Sequence, residues 1–196
     1  MATLKAHLDS PDKSVRLKAA LAAGTYPKAE YIDDLVSQCA IEPDFFVRDT
    51  LTWALMRNEI PSVVSRLKPE LNSENPQARS QALHTLTKIG EEKHYSLITQ
   101  EHLFDADDKV AATAWRAASV LAPDNEKPQL VELLLTQLGR GSSDLQFDLT
   151  RFLCNLGECI VAPLNIATNS PKEEVSLHAR FTLIRYQEMK LENFKI

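Results

Sequence analysis

Six segments with the same pattern recur along the chain, and their regular spacing limits the fold more than any other feature. The segments begin at Ser10, Glu42, Ser73, Asp105, Ser142 and Ser170. When they are aligned on Val15, Val47, Ala78, Val110, Leu145 and Val175, neighbouring copies are 32, 31, 32, 35 and 30 residues apart. A period of about 20 to 50 residues is typical of proteins built from stacked units, none of which buries its apolar face alone.

Each segment has the pattern of a helix that is buried along one stripe. We number positions from the aligned residue, which is position 0. Positions +4 and +8 are apolar in all six copies: Ala19, Leu51, Ala82, Ala114, Leu149 and Ala179 at +4, and Ala23, Leu55, Leu86, Ala118, Leu153 and Leu183 at +8. This spacing follows one face of an α-helix.

Polar residues and prolines mark the helix starts. Proline at the first helical position loses no hydrogen bond, because the N–H that it lacks has no partner within the helix. Ser170 and Glu173 also have the spacing of a capping box. We therefore expect a first-position proline in four of the copies, at Pro11, Pro43, Pro76 and Pro171.

Second amphipathic stretches lie between these helices, so each repeat is a helix pair. The stretches are Lys28 to Ala40, Ile60 to Leu71, Glu92 to Leu103, Glu126 to Leu138 and Cys159 to Thr168. The sequence predicts an all-α fold, a right-handed α-α superhelix of about six two-helix repeats that forms one domain over residues 1–196. The approximate repeat units are 1–26, 27–58, 59–90, 91–122, 123–157 and 158–196.

Val-Arg pairs occur near the start of two segments, at Val15-Arg16 and Val47-Arg48, and become Ala78-Arg79 in the third. Each follows an acidic or amide residue and a turn that contains proline. With these pairs the chain resembles the HEAT-repeat family, which includes the PBS-lyase HEAT-like proteins, and EPDFFVRDTLTWALMR is similar to small bacterial HEAT-repeat proteins. The resemblance covers nearly the whole chain.

The resemblance implies a HEAT-like solenoid in which the second helix of each repeat lines the concave face. It also implies a ladder of acidic residues and arginines between neighbouring repeats, with Asp9, Glu42 and Asn72 as the acidic or amide side. Arg16, Arg48 and Arg79 are then structural ladder residues. We expect the ladder to stop half-way, because the last three copies have Ala111, Gln146 and Ser176 in place of the arginine.

Charge is distributed unevenly over the predicted faces. The chain has a net charge of −5. Positions 0 to +10 of the six segments nevertheless contain ten cations against two carboxylates, Asp49 and Asp148. The cations are Arg16, Lys18, Arg48, Arg57, Arg79, Lys88, Arg116, Arg151, Arg180 and Arg185. A basic face attracts acidic or phosphorylated partners, although the same cations also suit a role in neutralising acids and helix C-termini between repeats.

Positions +2, +6 and +9 are predicted to point furthest from the buried stripe. Position +6 is occupied by Leu21, Trp53, His84, Arg116, Arg151 and Phe181. Aromatic residues and arginine dominate binding hot spots, but Trp53 fits a packing role equally well and Trp115 fits packing better. The candidate partner-binding residues are Trp53, Arg57, His84, Lys88, Arg116, Arg151 and Arg185.

The sequence has no motif typical of a catalytic, metal or cofactor site. The histidines lack metal-ligand spacing, no serine lies in a G-x-S-x-G turn, and Cys39, Cys154 and Cys159 form no C-x-x-C pair. We expect no cofactor, no metal and, on balance, no enzymatic activity. The first ten residues and the longest apolar run, Leu130 to Leu138, are too short or too polar for a signal peptide or a membrane span, which favours a cytoplasmic protein.

These observations favour a non-enzymatic scaffold that binds an acidic segment of a protein partner on its basic concave face. The alternative is a nucleic-acid-binding protein, or an alkylpurine DNA glycosylase of the HEAT-like type. Members of that group use a basic concave face with tryptophans and a carboxylate. The residue types are present at Trp53, Arg116, Asp148 and Arg151, without a motif that matches residue by residue. HEAT-like bilin lyases are a further alternative.

Apolar residues occupy outward positions in the first and last copies. They are Leu17, Leu21, Leu177, Phe181 and Ile184. Exposed apolar patches of this kind are covered in most proteins. We expect either the tail from Met189 to Ile196 to fold back over them, or a weak homodimer to form in place of the monomer.

Overall fold

The computed structural model describes residues 3–193, and every regular element in that range is helical. The α-helices are α1 (Leu4–Leu8), α2 (Lys13–Thr25), α3 (Ile32–Cys39), α4 (Phe45–Met56), α5 (Ile60–Leu71), α6 (Pro76–Ile89), α7 (Gln100–Leu103), α8 (Asp108–Leu121), α9 (Lys127–Leu135), α10 (Ser143–Asn155), α11 (Val161–Ala167) and α12 (Glu173–Asn193). Short 3-10 helices span Ala29–Tyr31, Glu92–Leu97 and Gly157–Ile160. The predicted all-α class is confirmed.

The chain divides into two compact units at the end of the third predicted repeat. Residues 1–90, the N-terminal unit, contain α1 to α6, and residues 91–196, the C-terminal unit, contain α7 to α12. In the N-terminal unit α2 packs against α4, and α4 against α6. In the C-terminal unit α8 packs against α10, and α10 against α12. We call these six the repeat helices.

The repeat helices begin where the sequence pattern places them. Their first residues are 13, 45, 76, 108, 143 and 173, which reproduces the predicted spacing. Position +4 is buried in all six copies, and position +8 is buried in all except Leu183, which is half-buried. The apolar stripe is therefore buried within each unit.

Most repeat helices begin with a side-chain N-cap, and proline at the first helical position is the exception. Asp12, Asp44, Asn75, Asp107 and Ser142 are the N-caps of α2, α4, α6, α8 and α10, and each side chain accepts a backbone N–H of the first turn. Only Pro76 occupies a first helical position among the four expected. Pro11, Pro43 and Pro171 each lie two residues before the first helical residue. Asp12 and Asp44 follow the first two of these prolines as the caps, because a carboxylate accepts the free N–H groups of the first turn. Ser170 accepts the N–H of Lys172 and does not cap α12.

The stretch from Glu92 to Leu103 is broken rather than one continuous helix. It forms the 3-10 helix Glu92–Leu97 and the four-residue α7. Thr99 lies between them with an extended backbone and makes a capping box with His102. Thr99 thus supplies local hydrogen bonds that compete with a continuous helix.

Two further features of the C-terminal unit concern buried and exposed side chains. Trp115 is fully buried, as its predicted packing role requires, and its indole N–H donates to the Leu103 carbonyl at 2.8 Å.

Leu177, Phe181 and Ile184 are exposed on α12. Of the tail expected to cover them, Phe194 and Ile196 lie outside the described residues. No helix within the described residues is long and apolar enough to cross a membrane.

Candidate functional site

The three arginines at position +1 each fix the loop that precedes their own helix. Every one donates from Nη1 to the carbonyls five and six residues earlier, at 2.7 to 3.2 Å. The acceptors are Ser10 and Pro11 for Arg16, Glu42 and Pro43 for Arg48, and Ser73 and Glu74 for Arg79. Part of the basic charge counted in the sequence is therefore used within the fold.

Arg16 also joins two repeats through a buried carboxylate. Its Nε and Nη2 donate to the two oxygens of Glu42 at 2.7 and 2.8 Å. Gln38 Nε2 and the backbone N–H of Asp44 donate to the same carboxylate. Burial alone would raise the pKa of Glu42, but the hydrogen bonds from Arg16, Gln38 and Asp44 outweigh it and hold that pKa below its usual range.

Two of the copies without an arginine replace the loop contact with a shorter side chain. The Nε2 of Gln146 donates to the carbonyls of Gly139 and Gly141, and the hydroxyl of Ser176 donates to Thr168 O at 2.6 Å.

The fourth copy, with Ala111, receives its contact from the following loop. There Arg140 donates to the Asp105 carbonyl, six residues before Ala111, and pairs with Asp108 at 2.8 Å. Arg140 lies outside the repeated segments, so the alignment gave no signal for it.

Trp53 is both a packing residue and a surface residue. Its indole lies directly on Gly24 of the preceding repeat helix, so closely that a Cβ at Gly24 would overlap the ring. The side chain nevertheless remains 41% exposed. The sequence left these two roles as alternatives, and the structure combines them.

The N-terminal unit, which contains Trp53, also contains cations without a charged partner. Among the described residues, the side chains of Lys18, Arg57 and Lys88 make no ion pair or hydrogen bond. Arg57 and Lys88 occupy the same position, +10, on the adjacent helices α4 and α6. His84 is half-buried on α6. This part of the predicted set shares one unit, and its positive charge is open to a ligand.

Phe46 is a surface residue that the sequence reasoning missed. It is 71% exposed and makes an edge-to-face contact with Phe45, with ring centroids 5.6 Å apart. Phe46 precedes Trp53 by seven residues, which is two helical turns, so both lie on the same side of α4. It occupies position −1, one residue before the window in which the faces were compared.

The C-terminal unit presents a different charge pattern. Arg116 is exposed, but Arg151 pairs with Asp148 at 2.8 Å and Arg185 pairs with Glu188 at 2.6 Å on their own helices. A groove of about 440 Å³ between α8 and α10 has three carboxylates in its lining, Asp108, Asp144 and Asp148, together with Lys109. The first two lie at positions −2 and −1, in the helical first turns that favour acids. The predicted basic face therefore also carries carboxylates in this unit, of which Asp108 is paired with Arg140.

A second groove, of about 420 Å³, lies between α10 and α12. Its apolar lining consists of Phe147, Leu177 and Phe181, and the remaining lining residues are Ser143, Asp144, Gln146 and His178. The Phe147 and Phe181 rings are tilted with their centroids 6.4 Å apart. This groove combines exposed aromatic surface with a carboxylate at one end.

His178 forms hydrogen bonds with several residues that surround this groove. Its Nδ1 accepts the Gly139 N–H at 3.0 Å, so the ring proton is on Nε2, which donates to Thr150 Oγ1 at 3.0 Å. Thr150 in turn donates to Thr182 Oγ1, and Thr182 donates to the His178 carbonyl. Burial lowers the pKa of His178, which favours this neutral form.

Position +9 differs from the expectation that it points outward. Gly24, Thr87, Ser119 and Cys154 are buried there, whereas position +10 is exposed at Thr25, Arg57, Lys88, Val120 and Asn155. On α2 and α10 position +9 faces the next repeat helix, because Gly24 contacts Trp53 and the Cys154 thiol lies 3.9 Å from Thr182 O, whereas Ile184 is exposed at this position on α12 as expected. The small side chains at +9 allow neighbouring helices to approach closely.

The residues considered for a glycosylase are not gathered in one unit. Trp53 belongs to the N-terminal unit, whereas Arg116, Asp148 and Arg151 belong to the C-terminal unit, where Asp148 is paired with Arg151. Burial raises the pKa of the Cys39 thiol to about 12 and that of Cys154 to about 11. Neither is therefore a thiolate near neutral pH.

The comparisons with known proteins give a fold. No protein-family model matches the sequence, and no curated protein sequence matches it. Similar solved structures include an engineered protein, 17% identical with a TM-score of 0.50, where the match covers 96% of this chain and 100% of that chain. They also include the karyopherin Kap121p bound to the extreme C-terminus of the protein phosphatase Cdc14p, 18% identical with a TM-score of 0.65.

The karyopherin match covers 94% of this chain and 23% of the karyopherin chain. A third structure, the complex of CpcE and CpcF of phycocyanin lyase from Nostoc sp. PCC7120, is 19% identical over 95% of this chain and 89% of that chain, but its TM-score is only 0.38. The first two similarities show that this chain has an all-α, helical solenoid fold.

Proposed function

We propose that the chain is a non-enzymatic scaffold of the HEAT-repeat type that binds an acidic segment of a protein partner. The proposed site is the exposed face of α2, α4 and α6 in the N-terminal unit. The observation that carries the proposal is Trp53, whose indole is held on Gly24 while 41% of the side chain stays exposed, in a unit that also has cations without a charged partner.

A tryptophan that is fixed in place binds at a low entropic cost. Large aromatic side chains supply much of the energy at protein interfaces, and a preorganised one loses little further freedom on binding. Phe46, two turns earlier on α4, extends the apolar surface in the same direction. An aliphatic or aromatic side chain of the partner fits against this strip.

The unpaired cations of the N-terminal unit favour a partner segment with negative charge. Arg57 and Lys88 occupy the same repeat position at the C-terminal ends of the packed helices α4 and α6, and Lys18 lies on α2. A carboxylate that approaches them displaces no internal ion pair, so its attraction is not offset by a broken contact. The acidic character of the segment follows from this arrangement.

The solved karyopherin supports the general role. It is a solenoid of similar fold, and it is bound to the C-terminal segment of another protein. A scaffold that holds a protein segment is therefore within the range of this fold, although fold similarity alone does not assign a partner.

The test measures the binding of two labelled peptides by fluorescence anisotropy. One carries leucine among glutamates, and the other carries the same leucines among lysines. We expect the acidic peptide to bind, Trp53→Ala to weaken it at least about tenfold, and Arg57→Ala with Lys88→Ala to weaken it and reduce its salt dependence. Lys68→Ala is the matched control, because Lys68 is an exposed lysine of the same unit on α5.

Glu70 and Glu91 would be poor control positions. Glu70 pairs with Arg66, and Glu91 pairs with Lys93, so a change at either breaks an internal contact. If Trp53→Ala binds the acidic peptide as well as the unaltered chain, the proposed site is wrong. If a 20-nucleotide DNA strand binds with a steep salt dependence and the peptide does not, the nucleic-acid alternative replaces the proposal.

A further inference from the structure

We propose that the groove between α10 and α12 is a second docking site, which takes an amphipathic basic segment of a protein partner. An apolar side chain of that segment would lie between Phe147, Leu177 and Phe181. Its lysine or arginine side chains would pair with the carboxylates at the N-terminal end of the groove. This site prefers the opposite charge from the N-terminal unit and does not depend on the function proposed there.

The apolar lining of the groove is open. Phe147 is 49% exposed, Leu177 is 57% exposed and Phe181 is 43% exposed, and the three enclose a cavity of about 420 Å³. This volume lies within the range of small-molecule sites. It is large enough to hold one large side chain. Three large apolar residues exposed together mark an interaction surface more often than scattered ones do.

Unpaired carboxylates lie at one end of the groove. Asp144 is part of the lining, and Glu173 and Glu174 form the first turn of α12. Within residues 3–193 none of these three side chains has an ion-pair partner. Lys172 brings one positive charge to the same turn. The end of the groove is therefore acidic, which complements a basic segment.

The nearby arginines do not neutralise these carboxylates. Arg140 is bound to Asp108, and Arg151 is bound to Asp148 at 2.8 Å. Asp144 also lines the neighbouring groove between α8 and α10. That neighbouring groove is also lined by Lys109, so the carboxylates left for a basic segment are Asp144, Glu173 and Glu174.

The walls of the groove are held in place by buried hydrogen bonds. His178 forms part of the lining and is linked to Gly139, Thr150 and Thr182. Gly139 has a φ of +80° and leaves no space for a Cβ beside Glu174. A groove with fixed walls needs little rearrangement to bind, so more of the contact energy contributes to affinity.

Charge argues against a second copy of the chain as the occupant. A twofold contact would place the same acidic surface on both sides. Such a contact would bring Asp144, Glu173 and Glu174 of both copies into one interface against a single Lys172 from each copy, and an excess of like charges at an interface is costly. A basic segment satisfies both the apolar and the acidic parts of the groove.

The experiment uses the full chain and two synthetic 14-residue peptides with one leucine pattern, whose polar positions are all lysine in one peptide and all glutamate in the other. Binding is measured by fluorescence anisotropy at low and high salt. We expect the lysine peptide to bind at least about tenfold more tightly, with Phe181→Ser weakening it about tenfold or more. Asp144→Asn with Glu174→Gln should weaken it and flatten its salt dependence.

Matched variants separate the groove from its surroundings. Ile184→Ser is the apolar control, because Ile184 is 54% exposed on α12 but does not line the groove. Glu132→Gln is the charge control on α9. Neither should change binding of the lysine peptide, and Trp53→Ala should not change it either. Thermal unfolding followed by circular dichroism should show that all variants remain folded.

Three results would overturn the proposal. The first is equal binding of the lysine and glutamate peptides. The second is an equal loss with Ile184→Ser and Phe181→Ser. The third is a dimer in sedimentation that Phe181→Ser converts to a monomer and that the lysine peptide does not dissociate, since this would identify a second copy as the occupant. The acidic peptide and Trp53→Ala test the function proposed for the N-terminal unit separately.

Discussion

At the scale of single residues, the contact between Gly24 and Trp53 links packing to binding. The absence of a side chain at Gly24 lets the indole of the next repeat helix lie directly on the α2 backbone. The same contact leaves the other side of the indole exposed. One small residue in one repeat therefore determines where the candidate anchor of the next repeat stands.

Replacing Gly24 with alanine should reveal this dependence. Alanine is favoured over glycine inside a helix by about 1 kcal/mol, but here its Cβ overlaps the indole. We expect Gly24→Ala to lower the free energy of unfolding by about 1 to 3 kcal/mol, because overpacking moves the ring. Urea denaturation measures the loss.

The double variant shows whether the indole is the cause. In a chain that already carries Trp53→Ala, the space above Gly24 is empty, so Gly24→Ala should be neutral or slightly stabilising. A similar loss in both backgrounds would mean that the helix backbone, and not Trp53, resists the methyl group. It would also remove the packing argument for Trp53 as a fixed anchor.

At the scale of helices, a single hydrogen-bond network joins α10, α12 and the turn before α10. His178 accepts a proton from Gly139 on one ring nitrogen and donates from the other to Thr150. Both roles require the neutral ring, because a second proton would point at the N–H of Gly139. The packing of this helix pair is therefore linked to the protonation of His178.

This linkage predicts the direction of a pH effect. Burial lowers the pKa of His178 below 6.5, so the unfolded chain takes up this proton at a higher pH than the folded chain does. The stability from the neutral ring is complete above about pH 6.5 and is lost progressively as the pH falls through that value. NMR titration of the histidine ring should give a pKa below 6.5.

His178→Gln provides the comparison. A glutamine can accept and donate hydrogen bonds but does not titrate, so the variant should lose less of its free energy of unfolding between pH 7.5 and pH 5 than the unaltered chain. Each unit by which the pKa is lowered corresponds to about 1.4 kcal/mol of that loss. The same pH dependence in both proteins would assign it to other groups.

The helices could be predicted from the sequence because their determinants are local. A polar cap and an apolar stripe lie within a few residues of each helix start, and α5 was predicted with its observed bounds, Ile60–Leu71. The prediction of Glu92 to Leu103 as one helix failed at Thr99, where hydrogen bonds to the side chain compete with the helix. Pro11 and Pro43 were each misplaced by two residues, because Asp12 and Asp44 cap the helices that follow them.

The candidate site was predictable only in part. The exposed position of Trp53 follows from helical periodicity. Its contact with Gly24 could not be predicted in this way, because the two residues belong to different repeats. The charge count could not show that Arg16 is buried against Glu42, 26 residues away. It also began at position 0, so it omitted Asp144, a carboxylate of the C-terminal unit.

At the scale of the whole molecule, the net charge of −5 is the sum over a chain in which we propose two sites of opposite charge preference. The proposed site for an acidic segment uses unpaired cations of the N-terminal unit, and the proposed site for a basic segment uses unpaired carboxylates of the C-terminal unit. Within the described residues of the C-terminal unit, Lys109 and Arg116 also have no charged partner. Each unit also has its own buried polar link between neighbouring repeats. These links are the Arg16 pair with Glu42, and the network around His178.

The division into two units predicts where a local change is felt. In repeat proteins each repeat contacts mainly its neighbours, so parts of the chain open separately. Glu42→Ala leaves Arg16 buried without its carboxylate, which should cost about 3 to 5 kcal/mol. Hydrogen exchange by mass spectrometry should then become at least about 100-fold faster in residues 3–90 and change little in residues 91–193. His178→Ala should show the reverse distribution.

Asp33→Ala is the control for this last prediction, because Asp33 also pairs with an arginine of a neighbouring helix, Arg66, but is largely exposed. Exposed ion pairs contribute about 0 to 1 kcal/mol, so exchange should change only slightly. If Glu42→Ala and His178→Ala accelerate exchange equally in both units, the chain opens as one cooperative body. The six repeats would then be coupled more strongly than nearest-neighbour contacts require, and each candidate site would depend on the stability of the whole chain.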